Sequence, residues 1–342
     1  MGSEGQIAKS VGGSIIIALL AFIALVGLAP SAVPFSTNNY GWNGLQQVAS
    51  VYSIQPVSSI DGATRGGVLL IMAPTTGFSQ TYAGAALNFV KSGGVLVVTD
   101  GYGTSNTLLS EMGVGITIQN YAVFDPMYNW KAPSLPIALI EPSAAHQFRF
   151  LSNVSGLALD QPGYLNVTSS AVSVLGVSSS RSYAENRSTA GSNLLQPGSS
   201  QAVARGPFPM VAAENIGRGS VVVISDSDFF TNSVWTSANN QVFAKDLFSN
   251  SIVYLDTSHW PVNTQDSLRA LLDSAYAQLV TVPLRYALTL GFVLVSLLLL
   301  PTFSRISSAP ARRAPKRQDI TYGDEVLNRV RKDRERYGIK PE

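Results

Sequence analysis

The sequence predicts an α/β domain with a mostly parallel sheet, held between two transmembrane helices. Three observations carry that expectation. Short unbroken apolar runs end at Pro or at Asp-Gly, segments with apolar residues near helical spacing lie between them, and two long uncharged apolar stretches stand near the chain ends.

The strands come first. Val68 to Ala73 (VLLIMA) is closed by Pro74, and Val95 to Thr99 (VLVVT) by Asp100 and Gly101. Runs this short and this apolar read as strands covered on both faces. Between them Ser79 to Lys91 (SQTYAGAALNFVK) has helical spacing and stops at Gly93-Gly94, which makes a strand-helix-strand unit. Leu108 and Leu109 belong to a helix opened by the glycine-containing turn from Gly101, and Gly113 to Gln119 reads as a further strand. Gly219 to Ser225 (GSVVVIS) is a fourth, followed by a helix over Asn239 to Phe248. Residues 121–215 are Pro-, Ser- and Asn-rich and read as an irregular insertion with short antiparallel strands such as Ala171 to Val177.

The flanks come next. Gly12 to Ala29 and Tyr286 to Pro301 are apolar and uncharged, close to the ~20 residues that a helix needs to cross a bilayer. Arg305, Arg312, Arg313, Lys316 and Arg317 follow the second run and Lys9 precedes the first, so the positive-inside rule puts both ends in the cytoplasm. The expected organisation is a cytoplasmic N-terminus (1–11), transmembrane helices at 12–30 and 279–303, an extracytoplasmic domain at 31–278 and a basic cytoplasmic tail at 304–342. A cleaved signal peptide is the alternative for the first run, against poor cleavage sites around Pro30. The expected location is therefore the cell membrane, crossed twice, with the bilayer as one partner.

Charge supports the same division. Residues 31–278 carry 10 Lys/Arg against 14 Asp/Glu, while 302–342 carry 11 against 6. Charged residues are only 13% of the chain, so Ser, Thr, Asn, Gln and Gly must supply the polar surface. Sequons at Asn153, Asn166 and Asn186 fit an exported, glycosylated surface. The tail helix expected from Gly323 to Tyr337 reads as a solvated juxtamembrane helix or as a docking place for a cytoplasmic protein partner; its acids argue against nucleic acid.

Two blocks resemble a known family. Tyr40-Gly41, the strand ending at Ala73-Pro74, the helix closing on Phe89-Val90-Lys91-Ser92-Gly93-Gly94, the strand to Asp100 and the turn Gly101 to Leu109 form the first; Gly217 to Asn232, with Asn240, form the second. Across residues 38–250 the chain resembles an uncharacterised membrane-anchored family of prokaryotes, mainly archaeal, whose domain is similar to class I glutamine amidotransferases and GldG-like proteins. The resemblance implies a flavodoxin-like sheet and an association with MoxR-type ATPases and von Willebrand-like membrane proteins.

Composition then limits the chemistry. There is no cysteine, so the amidotransferase nucleophile is missing, along with disulfides and thiolate metal sites. Thr99, Asp100 and Gly101 stand where that nucleophile belongs in active relatives. With two histidines, His146 and His259, a histidine-rich metal centre is excluded as well.

Open α/β sheets bind ligands beyond the carboxyl ends of their strands. The candidate crevice is therefore Asp100, Gly101, Tyr102, Asn106, Asp226, Asp228 and Asn232, with Asp226 and Asp228 as weak candidates for a divalent cation. A helix-capping or turn-forming role is the plainer reading of the aspartates. Gly101 and Gly103 do not complete a phosphate loop, because Asn106 occupies the last position of the G-x-G-x-x-G pattern. The expected function is a non-catalytic binding or scaffold subunit of a membrane complex, without cofactor. The alternatives are a structural glycosylated envelope protein and a cation-dependent hydrolase.

Overall fold

In the computed structural model, the described residues are 30–63, 66–187, 202–249 and 251–261, with isolated positions elsewhere. The chain divides into Met1–Leu272 and Asp273–Glu342, and of the second unit only scattered positions are described.

Five strands of the first unit pair in parallel, from the edge strand β1 (Ile54–Val57) through the apolar strands β14 (Val253–Asp256), β2 (Val68–Met72), β3 (Val95–Thr99) and β13 (Gly219–Ile224), in that spatial order. Alternate residues of these strands enter opposite layers, as a strand's period of two requires. Leu69, Ile71, Leu96, Val98, Val221 and Val223 pack toward Ala86 and Val90 of α2 (Gln80–Lys91) and Leu108 and Leu109 of α3 (Asn106–Glu111). Leu70, Met72, Val97, Val222 and Ile224 pack the other way, toward Val48 of α1 (Gln46–Val51), Phe243 and Ala244 of α5 (Asn240–Phe248), and Phe229 and Phe230. Helix α2 begins at Ser79, whose hydroxyl accepts from the Tyr82 N–H. It ends where Gly93 takes φ +107°, with Gly93 N–H donating to Val90 O and Gly94 N–H to Phe89 O.

The expected mostly parallel, flavodoxin-like sheet is not what forms. The sheet has nine strands and is mixed: beyond β13 come β12 (Pro209–Ile216), β9 (Val172–Val177), β6 (Ile137–Ile140) and β7 (Gly156–Ala158), each antiparallel to its neighbour. The reason lies in residues 121–215. They do not loop out as an insertion but complete the sheet, entering it through the tight β12–β13 hairpin at Gly217-Arg218, where Gly217 has φ +63°. The strand expected near Gly113 to Gln119 forms as β4 (Ile116–Gln119), outside the main sheet, paired with β8 (Tyr164–Val167). A third small sheet joins β11 (Ala204–Arg205), β10 (Tyr183–Asn186) and β5 (Tyr121–Phe124), and α4 (Pro142–Gln147) carries His146.

The two-pass membrane topology is also corrected. Among the described residues no helix is long and apolar enough to cross a membrane. The longest helix among them, α2, has 12 residues, about 18 Å against a ~30 Å hydrocarbon core. The two apolar runs at 12–30 and 279–303, and the tail helix, fall almost wholly outside the described residues.

Asn240 joins the two halves of the sheet's support. Buried at the start of α5, it accepts from Ala158 N–H at 3.0 Å and donates to Ala158 O at 2.9 Å and Val234 O at 3.0 Å. Asn240→Ala leaves the buried N–H and carbonyl of Ala158 without this partner, while Val234 O keeps the Ser237 N–H; it is expected to cost about 2–4 kcal/mol, read as a lowered urea midpoint with an unchanged slope.

Candidate functional site

The carboxyl ends of β3 and β13 lie side by side, because Ser220 to Ile224 pair in register with Val95 to Thr99. Each strand turns out of the sheet on an aspartate, Asp100 or Asp226, and these two do different work.

Asp100 holds its own loop. It is 1% exposed; one carboxylate oxygen accepts from the N–H groups of Tyr102 (2.7 Å) and Gly103 (3.1 Å), the other from Ser105 (2.8 Å). Gly103 takes φ +87°, which this turn requires. Gly101 N–H donates to Ser227 Oγ at 3.0 Å. The backbone donors of the Gly101 to Ser105 turn therefore point inward to these partners, and do not form a phosphate cradle. Asn106 bonds both N–H and O of Ile118 at 2.8 and 2.9 Å, tying α3 to β4. Asn232 accepts from Gln47 N–H and donates to the carbonyls of Asn39 and Gly41, pinning the 39–44 loop against the β13 end.

The rest of the crevice is made by a buried acid, Asp226, by the half-buried Asp228 and exposed Tyr102, and by two half-buried residues outside the sequence-derived set, Asp160 and Arg187. Asp226 is 1% exposed. Its oxygens accept from Asp160 N–H and Asp228 N–H, both at 2.8 Å. Burial, reinforced by the charge of Asp228, pushes its pKa well above the usual carboxylate range, against the pull of those two N–H groups. Burial and then the charge of Asp160 push Asp228 up to about 6, with Arg187 opposing. Burial raises Asp160 as well.

Arg187 spans the mouth from the end of β10. Its Nη2 donates to Gly101 O at 2.8 Å and Gln161 O at 2.9 Å, and the guanidinium lies 4.5 Å from the centre of the Tyr102 ring, whose side is 58% exposed residue surface. Its Nε is buried without a hydrogen-bond partner. Burial lowers the arginine's pKa, while Tyr102, Asp226, Asp100 and Asp228 pull it back. The loop Asp160 to Gly163 sits tightly beneath: Gln161 has φ +48°, and a Cβ on Gly163 would meet Gln119 O at 2.6 Å. Among the described residues no group of three or more His, Cys, Asp or Glu could hold a metal ion. Asn153, Asn166 and Asn186 are all exposed.

A separate cluster closes the end of β14. Asp256 is 2% exposed and pairs with His259 Nδ1 at 2.6 Å. Asp160 and Arg187 escape the sequence reading because they lie in the segment taken for an insertion. Asp256-Thr-Ser-His259 carried a usable signal, an acid and a histidine three residues apart just after an apolar strand. A shallow groove of about 440 Å³ lined by Tyr52, Gln55 and Lys245 lies elsewhere, near the amino ends of β1 and β14.

Asp228 predicts a pH effect. Its folded pKa lies above the ordinary 3.8, so the folded state holds its proton more tightly. The stability this gives is complete below about pH 4 and is lost as pH rises through about 6, by at most about 3 kcal/mol. Urea unfolding of Asp228→Asn is expected to show a flatter dependence over that window and a higher midpoint at neutral pH. An unchanged slope counts against the assignment.

A family model described as "Domain of unknown function (DUF4350)" matches residues 34–248. No curated protein sequence matches the chain. Among solved structures it is similar to the mmIFT52 N-terminal domain, at 18% identity and TM-score 0.38, covering 53% of this chain and 75% of that one. It is also similar to β-galactosidases from Rahnella sp. R3 (13%, TM-score 0.30, 52% of this chain) and Bacillus circulans sp. alkalophilus (11%, TM-score 0.28, 57%). The similar region spans 22% of each galactosidase.

Proposed function

The chain belongs to the DUF4350 family, whose model matches residues 34–248, and from that premise we propose that it is a non-catalytic recognition subunit that binds a partner protein at the carboxyl-end crevice of β3 and β13. The observation that carries this reading is the division of labour in the crevice. Asp100, Asn106 and Asn232 are committed to backbone groups, whereas Tyr102 and Asp228 present an aromatic face and an acid at the mouth, and Arg187, held by the carbonyls of Gly101 and Gln161, lays its guanidinium over the Tyr102 ring. Aromatic residues and arginine are the types that anchor protein interfaces. With no cysteine in the chain, amidotransferase chemistry has no nucleophile.

The kinship of the blocks at 89–109 and 217–232 with amidotransferase-like and GldG-like proteins belongs to the same proposal. It makes a MoxR-type ATPase the first partner to look for.

The test is recovery of partners by the tagged full-length chain from its native cells, compared with an Arg187→Glu/Asp228→Lys double variant of matched thermal stability. Hot-spot residues contribute about 2 kcal/mol or more, so affinity is expected to fall about thirtyfold. Equal recovery by both forms, or recovery of the chain alone, contradicts the proposal.

A further inference from the structure

The end of β14 holds the one histidine–carboxylate pair among the described residues, and the crevice does not use it. Asp256 Oδ1 accepts from Ser258 Oγ at 2.6 Å and from Ser258 N–H at 3.3 Å, and Oδ2 faces His259 Nδ1 at 2.6 Å. Both carboxylate oxygens are thus engaged. A carboxylate is an acceptor, so the proton of a neutral imidazole sits on Nδ1 and the lone pair is left on Nε2.

The ring is also held in place. Phe78 packs on it with centroids 3.9 Å apart, and Tyr82 meets it edge-on at 4.7 Å. The His259 carbonyl accepts from both Thr75 N–H and Thr75 Oγ at 2.9 Å, and Trp260 Nε1 donates to Met72 O at 2.7 Å. The histidine side chain keeps 11% of its surface open, and its backbone carbonyl ties the residue to the exposed Thr75 to Gly77 turn. A loop staple needs only the Nδ1 contact. A fixed ring whose second nitrogen has no hydrogen-bond partner among the described residues is what a proton acceptor needs.

We infer that Asp256 and His259 form a proton-accepting dyad, in which Nε2 takes a hydrogen bond from a ligand hydroxyl seated over the Thr75 to Gly77 turn. A hydroxyl fits better than an ammonium. Asp256 is buried and filled, so an ammonium there would find no carboxylate to offset its charge. Among the described residues the titratable groups facing the ring are Asp256 and Tyr82, and burial with the Asp256 charge raises the phenol's pKa, which keeps Tyr82 neutral. Three strand spacings, about 14 Å, separate this site from the β13 end. It therefore stands or falls apart from the crevice.

The experiment uses the full chain with His146→Gln, which leaves His259 as its only histidine. Long-range nitrogen–proton NMR is expected to show the proton on Nδ1, and glycerol to shift the Nε2 resonance in a saturable way. Diethyl pyrocarbonate is expected to modify the folded protein once at His259, and Asp256→Asn to slow that reaction at least about tenfold. Should Asp256→Asn fail to fold, the tautomer and glycerol shift decide by themselves. A proton on Nε2, no saturable shift, or modification only after unfolding overturns the inference.

Discussion

Parallel pairing of β3 with β13 is the contact on which the functional edge depends. It brings Val95–Thr99 against Ser220–Ile224, more than a hundred residues apart in sequence, and so places the turns at Asp100 and Asp226 next to each other. The approach is close enough to specify glycine. A Cβ on Gly219 would stand 2.0 Å from Gly94 O and 2.4 Å from Val90 O, so the start of β13 is seated directly on the end of α2 and the start of β3. Apolar layers on both faces then hold the pair at the sheet centre, where strand separation has no solvent-exposed route.

Given that placement, the electrostatics follow from how each acid is solvated by the chain. Asp100 receives three N–H donors and serves its loop. Asp226 receives two but is fully buried beside two further carboxyls, and burial dominates. Asp228, nearer the mouth, is left with a single opposing cation. Arg187 follows directly on β10 of the small three-stranded sheet, and its bonds to Gly101 O and Gln161 O join two of the loops that form the rim. The crevice is therefore a product of the segment 121–215 as much as of the parallel strands.

That segment is also where the sequence reading falls short. The central strands and α2 and α5 are legible because their burial is set by short-range pattern: VLLIM, VLVVT and GSVVVI are too apolar to lie anywhere but between two layers. Of the antiparallel strands only β9 is anticipated, over Ala171 to Val177; β6, β7 and β12 are short or open on Pro, and the pairing of all four depends on partners that local periodicity does not encode. Counting only the legible strands makes a mixed sheet look parallel. The same blind spot hides Asp160 and Arg187, while Asp100, Tyr102, Asp226 and Asp228 are found because they sit directly behind readable strands. The apolar runs at the chain ends lie almost wholly outside the described residues, among which no helix is long and apolar enough to cross a membrane.

Hydrogen–deuterium exchange on the isolated chain and on the complex recovered from its native cells tests most directly whether the β3–β13 edge is the binding surface. Slowed exchange is expected to be confined to the Gly101 to Asn106 turn, the Asp160 to Gly163 loop and the Asp226 to Asn232 turn. Protection at the groove by Tyr52, Gln55 and Lys245, with those three loops unchanged, would contradict it.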